Sequence, residues 1–179
     1  LVELLRGMGE TIDCVYLRND VGIREKEGLT QSKRYFLGSG NGHTEIVENG
    51  VHYDVDYING QKTGFFLDQK YNRAAVAKMT PGKKVLDCFT HTGAFGLNCA
   101  YAGAAHVTSV DVSESALETA RGNAALNHLD NIDFLCADVF ELLTDLAAKG
   151  KADYDLIILD PPAFTKSGST VKSAIRGYK

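Results

Sequence analysis

No apolar run in this 179-residue chain approaches the roughly 18 residues that a transmembrane helix needs. No charged, apolar and small-residue succession of a secretory leader opens it either. A membrane partner is therefore not expected, and the reading is a cytoplasmic protein. Cysteine is sparse: Cys14, Cys88, Cys99 and Cys136 stand far apart, with no Cys-x-x-Cys pair and no histidine at ligand spacing. That pattern disfavours both a disulfide framework and a zinc site, and no metal is expected. Internal repeats and low-complexity tracts are missing too. The first residue is Leu1, not methionine, so a fragment of a longer protein is expected.

What is present suits a globular core, since 44% of the residues are hydrophobic. The net charge of -4 is unevenly spread. Residues 1–84 carry 12 basic and 11 acidic side chains, residues 85–165 carry 3 and 12, and residues 166–179 carry Lys166, Lys172, Arg176 and Lys179 with no acid. The last segment suits phosphates or a solvated helix face. Organisation falls into two parts. Residues 1–62 read as a small β-rich module: a short helix to about residue 9, a strand at 15–18, and a hairpin around Asn49-Gly50. The glycine-rich stretch at 38–43 reads as a loop, because no helix comes after it to cradle a phosphate. Residues 63–179 alternate helix and strand, with a helix to about Met79 and strands near 84, 107, 132 and 155. Such alternation predicts an α/β fold with a doubly wound parallel sheet.

Ligands of such sheets lie beyond the carboxyl ends of the strands, and the distinctive residues fall there. The run Tyr154–Leu159 leads into Asp160-Pro161-Pro162-Ala163-Phe164. Prolines stop the strand and stiffen the backbone beyond it. Asp160 and a proline carbonyl would accept hydrogen bonds from the edge of a planar amino-bearing base, with Phe164 stacking on its face. The stretch VLDCFTHTGAFG, residues 85–96, is a strand, an acidic residue and a small-residue turn opening a helix at about Gly93. A dinucleotide fingerprint would need glycine at 91, 93 and 96, yet position 91 is His91. The tight turn that favours a pyrophosphate is thus absent, and Asp87 at the strand end suits an ammonium-bearing ligand such as S-adenosylmethionine. Asp111 closes the next strand, where an acid binds ribose hydroxyls. Asp138 closes the third and also opens a capping box with Glu141, so it reads equally as a helix cap and as a contact to adenine.

Taken in order, GQKTGFFLDQKYNR (60–73), VLDCFTHTGAFG, VDVSESALETARGNAALN (110–127), ADVFELL (137–143) and DPPAFTKS (160–167) resemble the RlmI-type ribosomal RNA large-subunit methyltransferase family. The resemblance runs from about Asp13 to Lys179. It implies the Rossmann-like fold of class I methyltransferases, S-adenosyl-L-methionine as cofactor, ribosomal RNA as partner and 5-methylcytosine as product. By matching position, it implies that Asp68, Gln69 and Arg73 flank the methionine end of the cofactor. Phe89, Thr92 and Gly93 would line the cradle. Asp111 would hold the ribose with Val112 and Ser113 beside it, Asp138 and Val139 would meet the adenine, and Asp160 would face both methyl group and base.

Only four strands of the longer sheet that the resemblance implies fit before Lys179, so a truncated sheet is expected. Cytosine C5 is too weak a nucleophile to act unaided, and the family's activating cysteine is expected beyond this chain. Cys88 reads instead as a buried small hydrophobe. The unpaired sheet edge points to association, with a homodimer left open. Three other readings remain: a guanine or adenine nitrogen methyltransferase of ribosomal RNA, a nicotinamide-dependent oxidoreductase, and a non-catalytic RNA-binding module.

Overall fold

The computed structural model describes residues 1–61, 63–150 and 153–163. They form two compact units: Leu1–Ile46 with Asp54–Asp68, and Val47–Tyr53 with the described residues from Gln69 onward. The boundary at 62/63 expected from the sequence falls inside the first unit.

In the first unit, helix α1 (Val2–Gly7) precedes strand β1 (Val15–Asn19), a short helix α2 (Ile23–Lys26) and strand β2 (Ser32–Leu37). β1 and β2 pair antiparallel, with Tyr16 opposite Tyr35 and Arg18 opposite Lys33. Tyr16 packs edge-on against Tyr35 and Tyr57, and the Tyr35 and Tyr57 hydroxyls stand 3.2 Å apart. Arg18 donates to the carbonyls of Tyr57 and Gly60, tying the loop after Asp56 to this pair. A Cβ at Gly60 or Gly64 would overlap the Asp56 carbonyl, so the loop closes only with glycine at both positions. α2 and β2 were not anticipated. SKRYFL places charged residues beside its aromatics, and the partial burial of both strands blurs the two-residue period.

Strands β3 (His43–Glu48) and β4 (Val51–Asp56) form the expected two-stranded hairpin. Asn49 (φ 54°) and Gly50 (φ 85°) both take the left-handed backbone that a tight hairpin turn requires. The tip belongs to the second unit and is anchored there. The Tyr53 hydroxyl receives the Asn98 amide at 2.6 Å. Asn49 donates to the Lys70 carbonyl and to Asn98, and Asn127 exchanges two hydrogen bonds with the His52 backbone.

The rest of the second unit is the doubly wound sheet. β5 (Lys84–Cys88), β6 (His106–Asp111), β7 (Ile132–Cys136) and β8 (Leu156–Leu159) are all parallel, in spatial order β7-β6-β5-β8. α3 (Lys70–Ala77), α4 (Ala94–Tyr101), α5 (Glu114–Leu126) and α6 (Val139–Lys149) alternate with them. The expected helix from Asp68 to Met79 is resolved into a 3-10 turn, Leu67–Gln69, followed by α3. β5 is central, and Val85, Leu86, Asp87 and Cys88 are all buried, as a parallel strand covered on both faces requires. Full burial of each such aliphatic side chain contributes about 1.5–3 kcal/mol. The order reverses direction between β6-β5 and β5-β8, and that switch places the β5 carboxyl end at a crevice.

Candidate functional site

The turn after β5 is built from unusual backbone. Phe89 (φ 59°), His91 (φ 53°) and Gly93 (φ 83°) all adopt left-handed conformations. His91 thus occupies, without being glycine, the kind of backbone for which glycine is normally used. Thr90 N–H donates to the Val110 carbonyl and Gly93 N–H to the Thr90 carbonyl, which curls the chain into α4. At Gly93 a Cβ would stand 2.9 Å from the Ala120 Cβ, so no side chain fits there. Phe89 packs edge-on against Phe140, 5.8 Å between centroids, over the cluster of Leu86, Cys88, Val110 and Val139. Burial holds the His91 imidazole below its ordinary value, against the pull of the Asp111 charge.

Two carboxylates brace this turn. Asp87 is 2% exposed, and its Oδ2 accepts from the Thr90 hydroxyl, from Gly96 N–H at 2.8 Å and from the Ser109 hydroxyl at 3.4 Å. Its Oδ1 receives no donor from the described residues. Burial pushes Asp87 up to about 6, opposed by its three donors, with the Asp160 charge adding to the rise. Asp111, half-buried, accepts His91 N–H on Oδ2 at 2.8 Å and Ser113 N–H on Oδ1 at 3.0 Å. It therefore links the turns after β5 and β6. Ser113 caps α5 by accepting Ala116 N–H, and its neighbour Val112 is exposed.

Asp138 caps α6, its Oδ1 accepting Phe140 N–H at 2.8 Å and Glu141 N–H at 3.2 Å. Val139 is buried in the core, whereas Phe140 presents 46% of its surface. At the end of β8, Asp160 is exposed and Pro161 half-buried. The Gln69 amide donates to Asp160 Oδ2 at 3.5 Å, and Asn72 donates to Gln69 Oε1 at 2.6 Å. These three residues rim the polar end of a cleft of about 460 Å³, whose walls are Ala75, Val76, Met79, Phe95 and β8. Thr92 is half-buried, its hydroxyl 3.5 Å from the His91 ring.

Arg73 is 2% exposed and makes a two-pronged ion pair with Glu48, at 2.6 and 2.9 Å. Asp68 is exposed and counts with the first unit. Phe164 and the basic segment 166–179 lie outside the described residues. Among the described residues no cluster of three metal-ligating side chains occurs, and no helix is long and apolar enough to cross a membrane.

A family model described as S-adenosylmethionine-dependent methyltransferase matches residues 29–177. The chain belongs to that family. It is 48% identical, over 171 residues, to the ribosomal RNA large subunit methyltransferase I of Shewanella frigidimarina, covering 93% of this chain and 43% of that protein. The protein of the same name from Aeromonas salmonicida is 46% identical, with 92% and 42% covered. This chain thus spans about two fifths of the length of these relatives. Among solved structures, a SAM-dependent methyltransferase from Agrobacterium tumefaciens superposes with a TM-score of 0.72 at 25% identity, covering 89% of this chain and 50% of that one. SMU.776, assigned as a methyltransferase and complexed with SAH, superposes with a TM-score of 0.67 at 33% identity, covering 75% and 36%.

The set of acceptors fits the methyltransferase cofactor. Asp87, Asp111, Asp138 and Asp160 stand at the ends of β5, β6, β7 and β8, a rim that repels phosphate and accepts hydroxyl, amino and ammonium groups. Two residues that touch the expected ones, Asn72 with Gln69 and Phe140 with Phe89, were not among them. Asn72 gives no signal beyond a polar residue in the first turn of a helix. Phe140 could have been singled out as an aromatic directly behind the Asp138 cap.

Proposed function

We propose that the full-length methyltransferase containing this chain methylates a base of large-subunit ribosomal RNA, with cytosine C5 as acceptor. The observation that carries the reading is Asp160: an exposed carboxylate at the end of β8, whose charge reaches the buried Asp87, with Oδ1 unpartnered among the described residues. The names of the curated relatives support the substrate class. In this reading the free lone pairs of Asp111 accept ribose hydroxyls, and Asp138 Oδ2 accepts the adenine amino group. Asp87 Oδ1 faces the ammonium. When bound, the cofactor supplies an electrophilic methyl group on a sulfonium. Asp160 Oδ1 accepts from the exocyclic amine of the base, and Pro161 holds the strand end stiff behind it.

Burial pushes the Cys88 and Cys99 thiols up to about 12, so neither supplies a thiolate to cytosine C6. Cys136 is exposed at the end of β7, its thiol raised by burial and by its hydrogen bond with Glu114, and in this reading the nucleophile of the C5 step is expected outside the described residues. The same observation favours a second reading, methylation of an exocyclic nitrogen on guanine or adenine, which needs no thiolate. The test is transfer of a labelled methyl group to undermodified ribosomal RNA, with the product nucleoside identified. Asp160→Ala is expected to abolish transfer while sparing adenosylhomocysteine affinity in calorimetry. Activity within a few-fold of wild type refutes the role of Asp160. A labelled N-methyl nucleoside selects the second reading.

A further inference from the structure

Gln69 precedes the first residue of α3, where a side chain ordinarily turns back to cap the helix, yet it makes no capping hydrogen bond. Its amide is occupied differently. Asn72, three residues on, donates to Gln69 Oε1 at 2.6 Å, and Gln69 Nε2 points to Asp160 Oδ2 at 3.5 Å. The direction of this chain of hydrogen bonds is set by chemistry. An ionised carboxylate only accepts, so the Gln69 group facing Asp160 must be the NH2. Gln69 then presents its oxygen to position 72, which must donate. Asn72, an amide that can offer its NH2, is the donor that completes this orientation at 2.6 Å. With Oδ2 held, Asp160 has Oδ1 open among the described residues. The short Asn72 link is the firm one, and the long Gln69 link is of the kind that tightens when substrate arrives.

We propose that Asn72 is a positioning residue for Asp160. It locks the Gln69 amide with its NH2 toward Asp160 Oδ2 and so leaves Oδ1 to receive the amino group of the target base. This rests on the function proposed above for Asp160 and extends it to two residues that are not required to touch the base. Helix stability and positioning make opposite demands at residue 72. Aspartate in the first turn of a helix suits its dipole, and residue 72 is exposed, so Asn72→Asp spares the fold. A carboxylate there cannot donate to Gln69 Oε1. It draws the NH2 of Gln69 to itself and turns the amide oxygen on Asp160.

The experiment compares full-length wild type, Asn72→Asp, Gln69→Ala and the double variant in methyl transfer, adenosylhomocysteine calorimetry and thermal unfolding. In Asn72→Asp, kcat is expected to fall on the order of tenfold to a hundredfold, with cofactor affinity, RNA KM and Tm held. In the Gln69→Ala background the same substitution is expected to add nothing. In the amide NMR spectrum, the Gln69 Nε2 resonance is expected to shift on Asp160→Asn in wild type but not in Asn72→Asp. The proposal is overturned if Asn72→Asp keeps kcat within twofold of an active wild type, if its effect persists without Gln69, or if the resonance ignores Asp160. A wild type that neither binds adenosylhomocysteine nor methylates RNA overturns the functional reading itself, and the positioning role with it.

Discussion

Replacing Asp87 by asparagine isolates the cost of burying a charge in the cofactor cradle. The carboxylate is 2% exposed, burial is the largest influence on it, and it is pushed from an ordinary 3.8 up to about 6. At about 1.36 kcal/mol for each tenfold change in proton affinity, that rise corresponds to about 3 kcal/mol. The folded value lies above the unfolded one, so the folded protein holds the proton more tightly. The stabilisation is fully present below about pH 4 and is lost as pH rises through about 6. Asparagine preserves the shape, and its amide oxygen can accept the three donors that now meet Oδ2. Urea unfolding of both proteins between about pH 4 and pH 7.5 reads the difference directly, since all other titrations cancel. The stability of the Asp87→Asn variant relative to wild type is expected to rise by about 2.4 kcal/mol across that window, the remainder of the about 3 kcal/mol lying below about pH 4. Parallel profiles would refute the buried-charge argument. In the proposed reading, where Asp87 faces the cofactor's ammonium, the substitution is also expected to weaken adenosylhomocysteine binding at about pH 7.5.

Three further outcomes are expected. Glu48→Gln removes the carboxylate that pairs with the buried Arg73 cation and is expected to cost about 3–5 kcal/mol of unfolding free energy, whereas replacing both residues with apolar ones of similar volume costs far less; denaturant midpoints separate the two. Gly96→Ala forces a methyl group onto Ser109 Oγ and to 3.0 Å from Asp87 Oδ2; a loss of about 1–3 kcal/mol is expected in the same assay, partly recovered by Ser109→Ala. Asp111→Ala frees the N–H groups of His91 and Ser113; their hydrogen exchange is expected to accelerate, with adenosylhomocysteine affinity falling by about 1–3 kcal/mol in calorimetry.

The strand-end acids were legible because each closes an apolar run, and a parallel sheet puts such ends on one side. Position 91 was legible by contrast with a glycine pattern, and its left-handed backbone gives that contrast a physical meaning. The partners of those acids were not. Nothing in the spacing tells that Asp87 is enclosed by Thr90, Gly96 and Ser109, since the enclosure is made by β6 and α4 folding over β5. Arg73 looked like a solvated or ligand-facing cation. Its pairing with Glu48 depends on a hairpin tip joining a helix 25 residues away, which no local pattern announces. β2 was missed because its charged residues outnumber its buried ones.

The hairpin tip has a consequence for synthesis. His52 completes its backbone hydrogen bonds with Asn127, 75 residues later in the chain. At about 5–20 residues per second, a ribosome takes about 4–15 s to supply that partner. Until its later partners, Asn98 and Asn127, are made, the tip has Val51 and Tyr53, both fully covered in the finished fold, open to whatever else the nascent chain meets.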